Sequence, residues 1–190
     1  MRTWRNCSAV PDRPRAVFLT GDVGSGKTTA LERVVRTLGL VVSGFRTPAV
    51  RKDGRVRGVR LVSLGDGGRE HPWVATIESG RLLPYPDVFE TQGVQILQKS
   101  LKDRSARCLV MDELGFLETE AVCFRAMVHR CIDDGPLVLG VLKRGDAPLP
   151  SSVAARPDVA VVEIEKTRRD EGTSSLLVLV SSILDVDYRA

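Results

Sequence analysis

Two rhythms of apolar residues run through this chain. Ala16-Val17-Phe18-Leu19-Thr20 is an unbroken apolar run, the profile of a strand buried on both faces. Past a glycine-rich stretch, Leu31, Val34, Val35 and Leu38 recur at helical spacing, and Gly39 closes that helix. Leu40 to Phe45 reads as a second strand. Short extended pieces follow over 46–77: Val56 to Leu64 and Trp73 to Ile77, separated by the turn Gly65-Asp66-Gly67-Gly68. This stretch is expected to be a small hairpin-like insertion. Asp87 with Glu90 three residues on predicts a helix start by reciprocal capping, with the helix running to about Leu101.

Arg107 to Met111 is the next predicted strand. Phe124, Met127, Val128 and Cys131 share one face of the helix after it. Leu137 to Leu142 and Val159 to Ile164 predict two more strands. Leu176 to Leu184 predicts a C-terminal helix, with a strand as the alternative. Residues 1–14 carry prolines and arginines without periodicity and are expected to be a flexible tail. Residues 15–190 are expected to be one domain. Strands alternating with helices imply an α/β fold: a three-layer α/β/α sandwich around a mainly parallel sheet, with ligands at the C-terminal ends of the strands.

Composition changes this picture little. Hydrophobic residues make 43% and aromatics only 5%, so the core must rest on aliphatic side chains. The net charge of +4 suits an anionic ligand without singling out nucleic acid. No C-x-x-C pair occurs. Cys7, Cys108, Cys123 and Cys131 are expected to be reduced thiols of a cytoplasmic protein, the last three as small buried hydrophobes. No apolar stretch long enough for a membrane span or a signal peptide is present.

Gly21-Asp22-Val23-Gly24-Ser25-Gly26-Lys27-Thr28 fits G-x-x-x-x-G-K-[ST] without a mismatch, between a strand and a helix as the motif requires. Its backbone N–H groups and the helix N-terminus would cradle the phosphates of a nucleoside triphosphate, with Thr29 completing the set. Lys27 would reach the β- and γ-phosphates, and the Thr28 hydroxyl would ligate Mg²⁺. Cys108 to Met111 is an apolar run ending in Asp112-Glu113. Asp112 at that strand end would hold Mg²⁺ opposite Thr28, and Glu113 would activate water. Lys143, Arg144 and the cluster Lys166 to Asp170 are candidates for the mouth of the site. The basic run Arg46 to Arg60 is equally a phosphate-facing wall or a solvated hairpin face. It has little aromatic interleaving, and nucleic-acid binding has no further support. His71 and His129 are expected to be structural or solvated.

Together these segments resemble the nucleoside-triphosphatase family described as cancer-related or thermophile-type. The resemblance rests on the glycine-rich loop, Gly44-Phe45-Arg46-Thr47 with Val50-Arg51, and Gly54-Arg55 with Gly58. It continues through Met111-Asp112-Glu113-Leu114-Gly115 with Leu117-Glu118, and Arg156-Pro157-Asp158-Val159 leading to Arg169-Asp170. It implies a RecA-like or adenylate-kinase-like core and Mg²⁺-dependent hydrolysis of several nucleoside triphosphates. It also implies that Asp112 and Glu113 carry the metal and water roles, and that Arg169 lies near the base. The chain departs from the family pattern at Ala49, Phe116 and Arg168, and in ending a strand with Val-Leu-Lys at Lys143. Two other activities fit the same motifs: a small-molecule kinase, and a slow nucleotide-dependent switch.

Overall fold

The computed structural model describes residues 13–188, and of 185–188 the backbone alone. Most of the expected tail, residues 1–12, lies outside the described residues; Pro14, at its end, is buried.

Nine strands form one sheet, in the order β6-β5-β4-β2-β7-β8-β1-β9, with β3 paired to β4. The parallel part comprises β1 (Ala16–Thr20), β2 (Val42–Arg46), β7 (Cys108–Leu114), β8 (Leu137–Leu142) and β9 (Val159–Glu163). Every residue of β1 and β8 is buried, as their unbroken apolar runs require. Helices cover both faces. On one, α1 (Lys27–Thr37) and α6 (Arg169–Tyr188) bury Leu31, Val34, Leu176 and Val180. On the other, α3 (Val94–Lys102), α4 (Val122–Asp134) and α5 (Pro148–Ala154) enclose the aromatic residues of the core. Phe124 packs against Phe45 and Phe89 there, with ring centroids 5.5 and 5.0 Å apart. This is the three-layer α/β/α arrangement expected.

The insertion is larger than a hairpin. β3 (Ala49–Lys52), β4 (Arg55–Ser63), β5 (Glu70–Glu78) and β6 (Arg81–Pro84) are antiparallel, and β4 pairs with β2, so the insertion extends the main sheet. The junction requires a glycine: at Gly44 in β2, φ is +104° and a Cβ would lie 2.1 Å from the Val110 carbonyl oxygen.

Three expectations are corrected. The short helix α2 (Pro86–Val88) runs through a π-helical turn, Phe89–Gly93, into α3, and no side chain caps it. Glu90 instead accepts the backbone N–H groups of Cys123 (3.0 Å) and Phe124 (2.9 Å), capping α4 from a distant part of the chain. Cys108 and Cys131 are buried free thiols, but Cys123 is exposed, because it sits on the outer side of the first turn of α4. The C-terminal helix begins at Arg169, well before its apolar stripe. Among the described residues, no helix is long and apolar enough to cross a membrane.

Candidate nucleotide site

β1 ends at Thr20, and the chain turns through Gly21 to Gly26 into α1. The turn cannot be built from other residues. Gly21 has φ +142° and a Cβ there would lie 2.3 Å from the Ile164 carbonyl oxygen; Gly26 has φ +98° and its Cβ would meet Arg169 Nε at 2.7 Å. No side chain caps the N-terminus of α1, and no acidic residue lies in its first turn. The first amides of that helix are therefore free for an anion.

Lys27 folds back along the loop. Its Nζ donates to the carbonyls of Gly21 and Asp22, both at 2.9 Å. The side chain is buried, and burial lowers its pKa from the ordinary lysine value against the opposing pull of Glu113. Phosphate oxygens at this ammonium would replace two neutral carbonyls with charged acceptors.

β7 and its parallel pairing to β2 bring the carboxylates to the same mouth. The Thr28 hydroxyl donates to Asp112 Oδ1 at 3.2 Å. Burial pushes the Asp112 carboxyl up to about 6, with the Thr28 hydroxyl opposing the rise. Thr47 anchors the next residue: its Oγ1 donates to the Asp112 carbonyl (3.3 Å) and accepts the Glu113 N–H (3.0 Å). Glu113 projects into the cleft, where the Lys143 ammonium lies 3.3 Å from its Oε1. Arg144 donates to Asp22 Oδ1 at 2.8 Å and to Glu163, spanning from the end of β8 to the loop. The cleft over the loop has a volume of about 550 Å³ and is lined by Gly21 to Gly24, Gly26 to Thr29, Glu113, Lys143, Arg144 and Arg169.

Almost every residue singled out in the sequence thus converges on one mouth. Val23 is highly exposed at the loop's crest, and Ser25 is buried beneath it. Arg169 is beside the loop, where its Nε donates to the Ser25 carbonyl at 2.9 Å and its Nη2 to that of Gly24 at 3.4 Å. The basic run divides. Arg46 pairs with Glu32, Arg60 pairs with Glu70 and stacks over Trp73 at 4.6 Å, and Arg51, Lys52, Arg55 and Arg57 are exposed.

Thr47 and Glu118 are the residues that motif reading missed as contributors. Both stood only as parts of the family pattern, which does not mark a threonine 65 residues before Asp112 as its partner. Glu118 is buried, and its Oε2 accepts the Gly115 N–H at 2.9 Å. Burial pushes this carboxyl up to about 7, with the Glu113 charge adding to the rise. The fold therefore holds this proton more tightly than the unfolded chain does. The stability it contributes is complete below the ordinary glutamate range and is lost as pH climbs through about 7. Glu118→Gln, which still accepts from Gly115, is expected to raise the melting temperature at pH 8 and leave it nearly unchanged at pH 4. The gain is on the order of 2–3 kcal/mol. Thermal unfolding at both pH values checks this; an equal loss at both would mean that the carboxylate form is required.

A glycine-rich loop at a strand-to-helix turn, with Thr28 at its end donating to Asp112 of β7, defines a P-loop nucleotide-binding protein of the α/β class. The sequence profile of the NTPase family matches residues 16–177, and the chain belongs to that family. Its relatives include the nucleoside-triphosphatase THEP1 of Thermotoga sp. (strain RQ2), 26% identical over 171 residues that span 88% of this chain and 94% of that protein. The cancer-related nucleoside-triphosphatase of Homo sapiens is 28% identical over 185 residues, 88% and 97% of the two chains. Among solved structures, a human cancer-related nucleoside triphosphatase superposes with a TM-score of 0.71 at 26% identity, over 88% of this chain and 98% of that one. THEP1 from Aquifex aeolicus shares the fold, with a TM-score of 0.67 at 24% identity over 86% and 98%.

Proposed function

We infer that this protein is a Mg²⁺-dependent nucleoside-triphosphatase that cleaves several nucleoside triphosphates to the diphosphate and phosphate with little regard for the base. The observation that carries this reading is the Thr28–Asp112 pair, 3.2 Å apart at the head of α1, with Glu113 next in the chain and open to the same cleft. Membership of the NTPase family supports the hydrolytic part.

Mg²⁺ fits the donor set. A hydroxyl and a buried carboxylate held high by burial form a hard-oxygen pair that a divalent cation would return to full ionisation. The described residues hold no cluster of three or more His, Cys, Asp or Glu suited to a metal. Mg²⁺ commonly takes one or two protein ligands and fills the remainder with water and phosphate oxygens. Thr28 and Asp112 would hold it, and when bound it neutralises charge on the β- and γ-phosphate oxygens.

The chain's own residues supply the rest. The loop amides from Gly21 to Thr28 and the free N-terminus of α1 bind the phosphates. Lys27 exchanges its two carbonyl partners for phosphate oxygens. Glu113 accepts the proton of the attacking water as its oxygen bonds to the γ-phosphorus. Lys143, now paired to Glu113, is within reach of the transferring group and offsets its charge.

Broad base acceptance follows from what faces the cleft. A site that rejects the wrong base needs buried hydrogen-bonding groups which that base leaves unpaired. The charged side chains over the loop address phosphates and each other, and Arg169 already donates to loop carbonyls. Values of kcat/KM for ATP, GTP, CTP and UTP are expected to fall within roughly two orders of magnitude of one another under one Mg²⁺ and salt condition. A preference beyond about 10³-fold for a single base would overturn this part. Phosphate release from none of the four would overturn the whole.

A further inference from the structure

A second cavity, of about 470 Å³, adjoins the phosphate cleft. Thr28, Glu113 and Lys143 line both, so the second cavity opens on the side of the γ-phosphate position from which a nucleophile arrives. A lytic water needs about 30 Å³. The space is more than ten times that, and its walls are chemically divided. One side is apolar: Pro48, Ala49 and Val59 from the insertion, and Phe116, which is 46% exposed with its ring 5.1 Å from the Lys143 ammonium.

The other side carries polar groups: Arg46, whose Nη1 is paired with Glu32, and Glu118, whose Oε2 accepts the Gly115 N–H at 2.9 Å. A cavity that sets such groups beside an aromatic ring suits a planar ring with polar edges. Asp112, Glu113 and Glu118 together on this wall disfavour a second phosphate. They favour a neutral hydroxyl at the attacking end.

We propose that this cavity is a second substrate site, in which a nucleoside stacks on Phe116, meets Arg46 with its ring edge, and presents a hydroxyl to Glu113. This rests on the loop holding the triphosphate and on Glu113 acting as the proton acceptor. In the transfer step the nucleoside hydroxyl oxygen bonds to the γ-phosphorus. The bond from that phosphorus to the β,γ-bridging oxygen breaks, and the bridging electron pair leaves with the diphosphate. The hydroxyl proton passes to Glu113. Hydrolysis is the same step with water in the place of the nucleoside.

The test follows γ-³²P-labelled ATP with adenosine, guanosine, cytidine or uridine added singly, separating the products by thin-layer chromatography. At least one nucleoside is expected to yield a labelled nucleoside monophosphate. Phe116→Ala, which removes the platform, and Ala49→Trp, which fills the cavity, are each expected to cut that product about tenfold or more. Phosphate release without nucleoside is expected to stay within about twofold in Ala49→Trp, since Ala49 lines only the second cavity. The Phe116 ring lies 5.1 Å from the Lys143 ammonium, so Phe116→Ala is read as the ratio of transfer to hydrolysis, which is expected to fall about tenfold. Label confined to inorganic phosphate with all four nucleosides would overturn the second site and leave the hydrolase reading standing. Transfer at the wild-type rate in both variants would overturn the placement of the acceptor. No turnover of ATP under any condition would sink the hydrolase reading itself, and the acceptor site with it.

Discussion

Lys27→Ala is expected to lose nucleoside-triphosphate binding and hydrolysis together. The ammonium is the one buried cation of the loop, and in the free protein it is held by two carbonyls of that loop at 2.9 Å. It is thus placed to meet the β- and γ-phosphates in both the ground state and the transition state. A contact made equally in both states sets binding, and one that strengthens as charge moves to the bridging oxygen sets rate. A charge-assisted hydrogen bond contributes about 1.5–3 kcal/mol, so binding should weaken on the order of 10- to 100-fold for each hydrogen bond to phosphate that alanine cannot make. Equilibrium titration with a fluorescent triphosphate analogue and single-turnover phosphate release measure the two effects separately. The substitution also deprives the Gly21 and Asp22 carbonyls of their donor, so thermal unfolding must accompany them. A folded Lys27→Ala protein that turned over at the wild-type rate would remove this loop from the site.

Legibility in the sequence followed burial. β1 and β8 could be read to the residue because both faces of each are covered, leaving one continuous apolar run. β6 gave no signal: all four of its residues are exposed, and only pairing with β5 makes it a strand. α5 was equally silent. It is a seven-residue helix with Pro148 at its start, tied to the core through Leu149, Pro150 and Val153. The first turns of α6 are polar because they pass beside the loop, so its start could not be seen from the apolar stripe.

The site was more legible than its surroundings. Phosphate chemistry needs a fixed spacing of glycines, lysine and threonine, and that spacing survives in one dimension. Contacts that depend on folding did not. Glu90 reads as the partner of Asp87 three residues away and instead caps a helix more than thirty residues on. Arg169 reads as a residue near the base, and the fold adds a contact the sequence does not show: it braces the Gly24 and Ser25 carbonyls. Lys143 reads as a candidate for the mouth of the site, and only the parallel pairing of β7 with β8 sets it against Glu113.

That ion pair shapes the second large effect. Glu113→Gln is expected to keep triphosphate affinity and to hydrolyse about 10²–10⁴-fold more slowly. The amide preserves the shape of the side chain and can still accept a hydrogen bond from Lys143, so the wall between the two cavities stays in place. It cannot take a proton from water. The Thr28–Asp112 pair is not touched by the change, because the Glu113 backbone is fixed by Thr47 rather than by its own side chain. Affinity and metal dependence should therefore follow wild type while the chemical step falls. Single-turnover hydrolysis at saturating Mg²⁺, together with nucleotide titration, separates the two. If binding fell as steeply as rate, Glu113 would be acting on the metal or the phosphates and not on the water. If the single-turnover rate matched wild type, the base would have to be sought elsewhere. Glu118 would come first: it lies on the same cavity wall, and burial pushes its carboxyl up to about 7.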